Sequence, residues 1–563
     1  MERPLDGSLL LVGEGDFSLS VALVCHLTEN DQSLNIPVIA SSIESEETIL
    51  KHKNAQENIA WLQEKGVIIH LNTDATVLHQ NALLKDVRFR RIVFNFPHAG
   101  GKSNHKKNRK LLNDFFSSAS KVLDKEGQIM VTLCKGQGGT PADKPMRKWH
   151  DSWQVVSMAA NAGLKLTEVL NFDAHKFLQY KSTGFRSQDK GFHTEGAITH
   201  VFEKSTVVSV PCINTFSNQD EYIPGEKNLL KDPCSPVYVV NQMLCDSLSK
   251  AYDIPTGQES ADDAVPPSYT VCRSLSDQTI GKCEVESKML MLSEDVQRIL
   301  QWMCNGEQPI IESFQCTQGY AIQPNLLPLC HLLICSLPIQ HSLGGTVEVG
   351  KYKEALKNVL EACVTDDTVI FTKFEKWNNQ KSRDNCAMRE ISIGQCEGIY
   401  IESNNNIRVG EIFTYSKDDS HHVHIAVILD LDHIPCVKLG IPDARLLWSK
   451  EVEVLNQFIT LQKKYVPVSL YPILFTHDMS FWENDATPFD ECIFFNIIRD
   501  VGGDSVSHVT LIDRYYSSDI DRTSRCYRLM FQSFDQVLSY NTSWKLQSVI
   551  RLLTAETMKV TLR

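Results

Sequence analysis

The sequence predicts an α/β domain built on a parallel sheet over residues 1–205 and an α+β split motif over residues 471–563. Three observations carry this. An apolar run at the start ends in two glycines one residue apart. Strand and helix patterns then alternate for nearly 200 residues. The last 93 residues read strand, helix, strand, strand, helix, strand.

The run Leu9-Leu10-Leu11-Val12 reads as a buried strand. Gly13-Glu14-Gly15-Asp16 follows, and its glycines let the backbone turn tightly and approach a ligand. Ser18 is placed to cap a helix over 19–27. Such a strand–glycine–helix unit presents a nucleotide or S-adenosylmethionine at a sheet edge. Residues 37–42 read as a second strand. Glu44 beyond it is placed to accept from ribose hydroxyls, or else to open the helix that starts near Glu46. A third strand over 67–71 leads to Asp74, at a position suited to adenine contact. A fourth over 91–96 carries Asn95-Phe96-Pro97-His98 at its carboxyl end. A helix over 108–123, a fifth strand over 128–134 and a helix over 149–163 complete the alternation. Ligands of such sheets bind beyond the carboxyl ends of the strands, where these polar residues fall.

The composition fits a soluble globular chain of about three or four domains, with 563 residues and 42% hydrophobic content. No segment approaches the roughly 20 apolar residues of a membrane span, and the short apolar run leading into Gly13-Glu14-Gly15-Asp16 is not expected to act as a secretory signal. The 17 cysteines never form Cys-x-x-Cys, which argues for reduced thiols and against a disulfide framework or a zinc ribbon. A cytoplasmic or nucleolar location is expected. Charge is uneven. Residues 1–205 carry 25 basic and 23 acidic side chains, 471–563 carry 9 and 12, and the middle carries 22 and 34. The two ends are therefore where RNA could approach without strong repulsion.

Leu10-Leu11-Val12-Gly13-Glu14-Gly15-Asp16-Phe17-Ser18, Asn54-Ala55-Gln56-Glu57-Asn58, Asp74-Ala75-Thr76 and Asn95-Phe96-Pro97-His98-Ala99-Gly100-Gly101 resemble the Rossmann-like methyltransferases that modify N3 of uridine in ribosomal RNA. Asn108-Arg109-Lys110-Leu111-Leu112, Val131-Thr132-Leu133, Lys190-Gly191-Phe192 and His200-Val201-Phe202 extend the likeness over nearly all of 6–204. The resemblance implies S-adenosyl-L-methionine as cofactor, with Gly13, Glu14, Gly15, Asp16, Glu44 and Asp74 around it.

Methylating uridine N3 requires the base to be pulled clear of pairing, its weakly acidic proton removed, and N3 aimed at the methyl group. Asn95 can donate to a uracil carbonyl, Phe96 or a neighbouring backbone can wall the base, and His98 can act as general base near neutral pH. The alternative is a strand ending in a turn, with His98 satisfied by backbone. The tetrapeptide differs from the Asp-Pro-Pro or Asn-Pro-Pro of exocyclic-amine methylation, which suits an imide target. Lys106, Lys107, Arg109 and Lys110 follow directly and could neutralise RNA phosphates, or simply form a solvated helix start.

Tyr471-Pro472, Asp478-Met479-Ser480-Phe481-Trp482, Ile498-Arg499-Asp500-Val501-Gly502-Gly503-Asp504, Leu511-Ile512-Asp513-Arg514-Tyr515 and Thr523-Ser524-Arg525-Cys526-Tyr527-Arg528 resemble the ferredoxin-fold anticodon-binding domain of phenylalanyl-tRNA synthetases. The likeness implies tRNA or another structured RNA as partner, with Arg514 and Arg525 as contacts. Residues 206–290 read as a linker or partly disordered stretch, rich in Ser, Asp, Pro and Gln. Gly440-Ile441-Pro442-Asp443-Ala444-Arg445-Leu446-Leu447-Trp448 resembles the end of the synthetase catalytic domain. Upstream, Asp430-Leu431-Asp432-His433 stands where those enzymes carry Gly-Leu-Glu-Arg. A carboxylate there opposes a triphosphate, so 291–470 is expected to be a degenerate synthetase-like α/β region without aminoacylation activity. The pairing of both ends resembles an animal family that joins such a methyltransferase domain to an anticodon-binding domain.

The combined expectation is an S-adenosylmethionine-dependent methyltransferase acting on rRNA or tRNA, with no membrane partner and no metal. The alternative is a non-catalytic RNA-binding scaffold whose methyltransferase and synthetase parts are both relics. The intact glycine loop beside an eroded synthetase motif favours the enzyme.

Overall fold

In the computed structural model, the residues described are 7–28, 34, 36–100, 104–183, 191–212, 228–254, 294–303, 308–317, 322, 329–339, 345–364, 367–373, 391–402, 407–417, 423–459, 461–484, 486 and 488–563. The fold divides into two compact units. One comprises 1–215, 467–478 and 529–552, and the other 216–466, 479–528 and 553–563. Residues 471–563 therefore contribute to both units.

The first unit contains β1 (Leu9–Val12), α1 (Ser18–Thr28), β2 (Val38–Ser41), α2 (Glu46–Ile49), α3 (Ala55–Glu64), β3 (Ile68–His70), β4 (Phe89–Asn95), α4 (His105–Val122), β5 (Leu123–Leu133), α5 (Val155–Ala160), β6 (Leu164–Asn171) and β7 (Ile198–Lys204). The seven strands lie in the order β3-β2-β1-β4-β5-β7-β6. The β1–β2, β1–β4, β2–β3 and β4–β5 ladders are parallel, whereas β7 runs antiparallel to both β5 and β6. This is the predicted parallel sheet with the β6–β7 hairpin added at one edge, in which β7 alone is reversed.

Alternation along β1 explains the layering. Leu10 and Val12 pack into one core with Leu112, Phe115, Phe116 and Ala119 of α4. Leu9 and Leu11 pack into the other with Leu19 and Leu23 of α1 and Leu62 of α3. Successive strand residues face opposite sides, so an uninterrupted apolar strand needs helices on both faces. Truncating any of these leucines to alanine would cost about 2–5 kcal/mol.

Several elements differ from the sequence reading. Helix α4 starts at His105 rather than 108, because Asn104 accepts from the Lys107 N–H at 3.0 Å and caps it there. Residues 149–163 form a short 3₁₀ turn, Trp149–Asp151, and the six-residue α5. Ser18 does not cap α1. It is the first helical residue, and its hydroxyl pairs with the backbone of Lys181, while Asp16 Oδ1 accepts the Ser18 N–H at 3.0 Å.

The middle of the chain holds α6 (Pro236–Ala251), α7 (Glu294–Met303), β8 (Ile310–Thr317), β9 (Leu329–Ile339), α8 (Gly345–Val364), β10 (Thr368–Lys373), β11 (Ile391–Glu402), β12 (Ile407–Lys417), β13 (Val423–Asp430), α9 (His433–Leu439) and α10 (Val452–Phe458). Its six strands form the sheet β10-β11-β12-β13-β9-β8, antiparallel throughout. Helix α6 lies inside the stretch read as linker. Ser235 caps it and Pro236 opens it, while 213–227 and 255–293 fall outside the described residues.

The C-terminal elements are β14 (Phe475–Trp482), α11 (Glu491–Gly502), β15 (Val506–Ser517), β16 (Arg522–Phe531), α12 (Tyr540–Met558) and β17 (Thr561–Leu562). Strand order β15-β16-β14-β17 is the split βαββαβ arrangement predicted for this end. Within the first unit, the N–H of Val208 donates to Val537 O, that of Val537 to Thr206 O, and that of Leu470 to Leu166 O. Leu470 also packs against the α4-side core.

Candidate active site

The strand order reverses between β1 and β4, and open α/β sheets bind ligands at that point, beyond the carboxyl ends of the strands. Val12 pairs with Phe94, so Gly13 and Asn95 come next on neighbouring strands. The glycine bend and the Asn-Phe-Pro-His corner therefore share one edge of the sheet.

Gly13 has φ +73°, and a Cβ there would lie 2.5 Å from Phe94 Cε2. Only glycine fits both the left-handed backbone and that approach. Glu14 turns inward. Its Oε2 accepts from Ser20 N–H at 3.2 Å and Ser20 Oγ at 2.8 Å. Burial pushes its carboxyl up to about 7 despite the Ser20 bonds, and the nearby Asp16 adds to the rise. Asp16 also accepts, through its backbone oxygen, from Asn58 Nδ2 of α3 at 2.7 Å. That contact gives Asn58 a structural role.

Glu44 stands beyond β2, with Oε2 bound to His52 Nε2 at 3.0 Å. Asp74 stands beyond β3, where Oδ1 accepts from Thr76 N–H at 2.8 Å and Thr76 Oγ1 at 2.7 Å. In each carboxylate one oxygen is engaged by a local partner. This donor set fits S-adenosylmethionine. The glycine bend admits close backbone approach, and Glu44 and Asp74, beyond β2 and β3, are acceptors of the kind that ribose hydroxyls and an adenine amine require.

A strap after β6 approaches the glycine loop. Thr183 Oγ1 would lie 2.2 Å from a Cβ at Gly15. Tyr180 has Ser182 as hydrogen-bond partner, and burial together with the charges of Glu14 and Asp16 holds its phenol well above the ordinary range. Nothing in the local sequence signals that 177–183 returns to this loop.

At the corner, Thr132 Oγ1 donates to Asn95 Oδ1 at 2.5 Å and lies 2.8 Å from Thr199 Oγ1. The amide nitrogen of Asn95 is thereby turned away from Thr132. His98 departs from the expected general base. Its Nδ1 accepts from the Gly100 N–H at 2.8 Å. A backbone amide can only donate, so the neutral ring carries its proton on Nε2 and cannot take another there. Burial also pulls this imidazole below its ordinary value. Phe96 departs too. It has φ +50° and is buried, with its ring against Phe172 (5.4 Å, edge-on) and Phe192 (5.8 Å, stacked), so it offers no open face to a base. Phe192 and Trp153, at 5.9 and 6.0 Å from His98, complete an aromatic wall that sequence reasoning missed.

Among the basic residues after the corner, Lys106 and Lys107 are exposed at the start of α4, and Lys110 is exposed while pairing with Asp114 at 2.5 Å. Arg109 is not available. Its guanidinium donates to the backbone oxygens of His150 and Ser152 and ties α4 to the turn at 149–152. Arg525 is likewise internal. It is 8% exposed, donates to Glu483 Oε1 at 2.6 Å and lies 4.5 Å from the Phe489 ring centroid. Arg514 is exposed on β15 beside the exposed Tyr515 and Tyr516.

In the middle sheet, Asp430-Leu431-Asp432-His433 forms a closed polar knot. Asp430 Oδ2 binds His433 Nδ1 at 2.7 Å, and Asp432 Oδ1 binds His331 Nδ1 at 2.8 Å. The Asp430 charge pushes His433 up to about 9. Both carboxylates are buried and spent on histidines. Among the described residues no group of three or more His, Cys, Asp or Glu could hold a metal, and no helix is long and apolar enough to cross a membrane.

The family described as "rRNA (uridine-N3-)-methyltransferase BTM5-like" matches residues 10–184. Together with the strand order, that match supports an S-adenosylmethionine-dependent methyltransferase domain over these residues. The mitochondrial phenylalanine–tRNA ligase of Mus musculus is 39% identical over 115 residues, covering 20% of this chain and 25% of its own. The human ferredoxin-fold anticodon-binding domain-containing protein 1 is 29% identical over 96% of this chain and 97% of its own length. Its mouse homolog is 30% identical over the same shares, and the chain belongs to the family of ferredoxin-fold anticodon-binding domain-containing protein 1.

Proposed function

We propose that this chain transfers a methyl group from S-adenosyl-L-methionine to uridine N3 in a structured RNA. One observation carries the reading: Gly13 and Asn95 stand side by side at the switch point of the sheet, so a cofactor cradle adjoins a corner able to grip a carbonyl-bearing base.

The bound cofactor supplies an electrophilic methyl group. The protein binds and orients. Gly13 and Gly15 let the backbone come close, and Glu44 and Asp74 offer carboxylate acceptors to ribose and adenine. Asn95 donates its amide to one uracil carbonyl. His98, with its proton on Nε2, serves as a donor toward the base rather than as a base. The uridine N3 proton leaves to solvent. Lys106 and Lys107, exposed at the start of α4, and Arg514, exposed on β15, offer phosphate contacts. The family match and the synthetase-like C-terminus both favour RNA as the substrate class.

The test is calorimetric titration of the full-length chain with S-adenosylmethionine. Tritiated cofactor is then supplied with rRNA and tRNA pools, and the labelled nucleoside is mapped. Cofactor binding with label on uridine N3 supports the reading. Absence of binding and label favours the non-catalytic scaffold, and label on an exocyclic amine removes the imide assignment.

A further inference from the structure

Asn95, Thr132 and Thr199 form one row across three neighbouring strands. Asn95 is paired with Thr132 in the parallel β4–β5 ladder, and Thr132 with Thr199 in the antiparallel β5–β7 ladder. Directly paired residues share a face of the sheet. Thr132 is fully buried and Thr199 is 7% exposed.

Two proton arrangements satisfy the distances of this row. In the first, Thr199 donates to Thr132 and Thr132 donates to the Asn95 amide oxygen, so both hydroxyl protons are used. In the second the amide is flipped. Asn95 donates to Thr132, Thr132 donates to Thr199, and the Thr199 proton has no acceptor among the described residues. Buried donors without partners are costly, and the first arrangement is favoured by roughly tenfold or more.

We infer that the Thr132–Thr199 pair is a specificity device that locks the Asn95 amide with its NH₂ toward the corner. A base that presents a carbonyl oxygen, as uracil does, is accepted there. A base that presents an amino group at the same place, as cytosine does, meets donor against donor and is rejected. Thr132 acts through Asn95 and is a positioning residue. This deepens the proposed function and rests on its placement of the base at the Asn95 corner.

The test measures binding rather than turnover. Uridine and cytidine 5′-monophosphates are titrated into the full chain with S-adenosylhomocysteine present, for wild type, Thr132→Val and Thr132→Ser. Wild type and Thr132→Ser are expected to prefer the uridine nucleotide by about tenfold, and Thr132→Val to lose that preference. S-adenosylhomocysteine affinity should be the same in all three, which separates lost selectivity from a collapsed domain. A wild type without preference, including one that binds neither nucleotide, overturns the inference. So does a Thr132→Val that keeps the preference. Failure to bind S-adenosylhomocysteine, with a Thr132-dependent uridine preference intact, would instead sink the methyltransferase reading alone.

Discussion

Replacing Glu14 by Gln should stabilise the N-terminal domain at alkaline pH and hardly at acid pH. The Glu14 carboxyl is buried behind the glycine bend with its ionisation displaced from about 4.5 to about 7, first by burial. A raised carboxyl costs nothing below the unfolded value, because both states are protonated. Between the two values the unfolded chain ionises while the native one does not, so stability falls with rising pH. Above about 7 the loss is complete. At about 1.4 kcal/mol per pH unit the full penalty is about 3 kcal/mol. Glutamine keeps an oxygen for the Ser20 N–H and hydroxyl but carries no charge. Glu14→Gln is therefore expected to gain under about 1 kcal/mol at pH 5 and about 3 kcal/mol at pH 8. Urea titrations at both pH values, with unfolding of β1 and α1 followed by protease accessibility, measure the difference. An equal effect at the two pH values, or a loss at pH 8, would refute the reasoning.

Gly13→Ala forces a side chain into a left-handed backbone and against Phe94, and should cost about 2–4 kcal/mol in the same urea assay; an unchanged midpoint contradicts the close approach. Arg525→Ala breaks the pair with Glu483 and should lower the stability of the C-terminal fold by about 3 kcal/mol. Arg514→Ala should leave stability within about 0.5 kcal/mol while reducing the salt dependence of RNA binding by about one phosphate contact. Filter binding across a salt series, beside thermal melting, separates the two arginines. His433 is raised by Asp430, so its contribution is fully present below about 6.5 and fades as pH climbs through about 9. Melting profiles from pH 6 to 10 should show that alkaline decline in wild type and a flatter profile in His433→Gln.

The glycine bend was legible because its signals are local: four apolar residues, two glycines and a helix pattern sit within twenty positions. The split motif at the C-terminus was legible for the same reason. The corner was half legible. Asn95 could be located at a strand end, but its orientation depends on Thr132 and Thr199, 37 and 104 positions away by chain number, which meet it only through strand register. For His98 the sequence left a general base and a backbone-satisfied ring both open, and the deciding partner is a backbone N–H two residues on, which composition does not reveal. Arg109 was read as an RNA contact from the basic run at 106–110, and Arg525 from the likeness to the anticodon-binding domain, although both are held internally. The carbonyls and the carboxylate that hold them lie about 40 positions away. Phe96 was taken for a stacking wall although its own ring is enclosed by Phe172 and Phe192, whose return depends on the strap and the β6–β7 hairpin.

The bonds from Val208 and Thr206 to Val537, and from Leu470 to Leu166, set a limit on dissection. A fragment ending at residue 205 would lose the partner of the Leu166 carbonyl and bare the apolar surface that Leu470 covers. The first 205 residues are thus expected to be less stable alone than with 467–478 and 529–552 attached. Shortened versions made for biochemistry should retain 467–478 and 529–552, and nonsense alleles that spare the first 205 codons should still behave as folding defects.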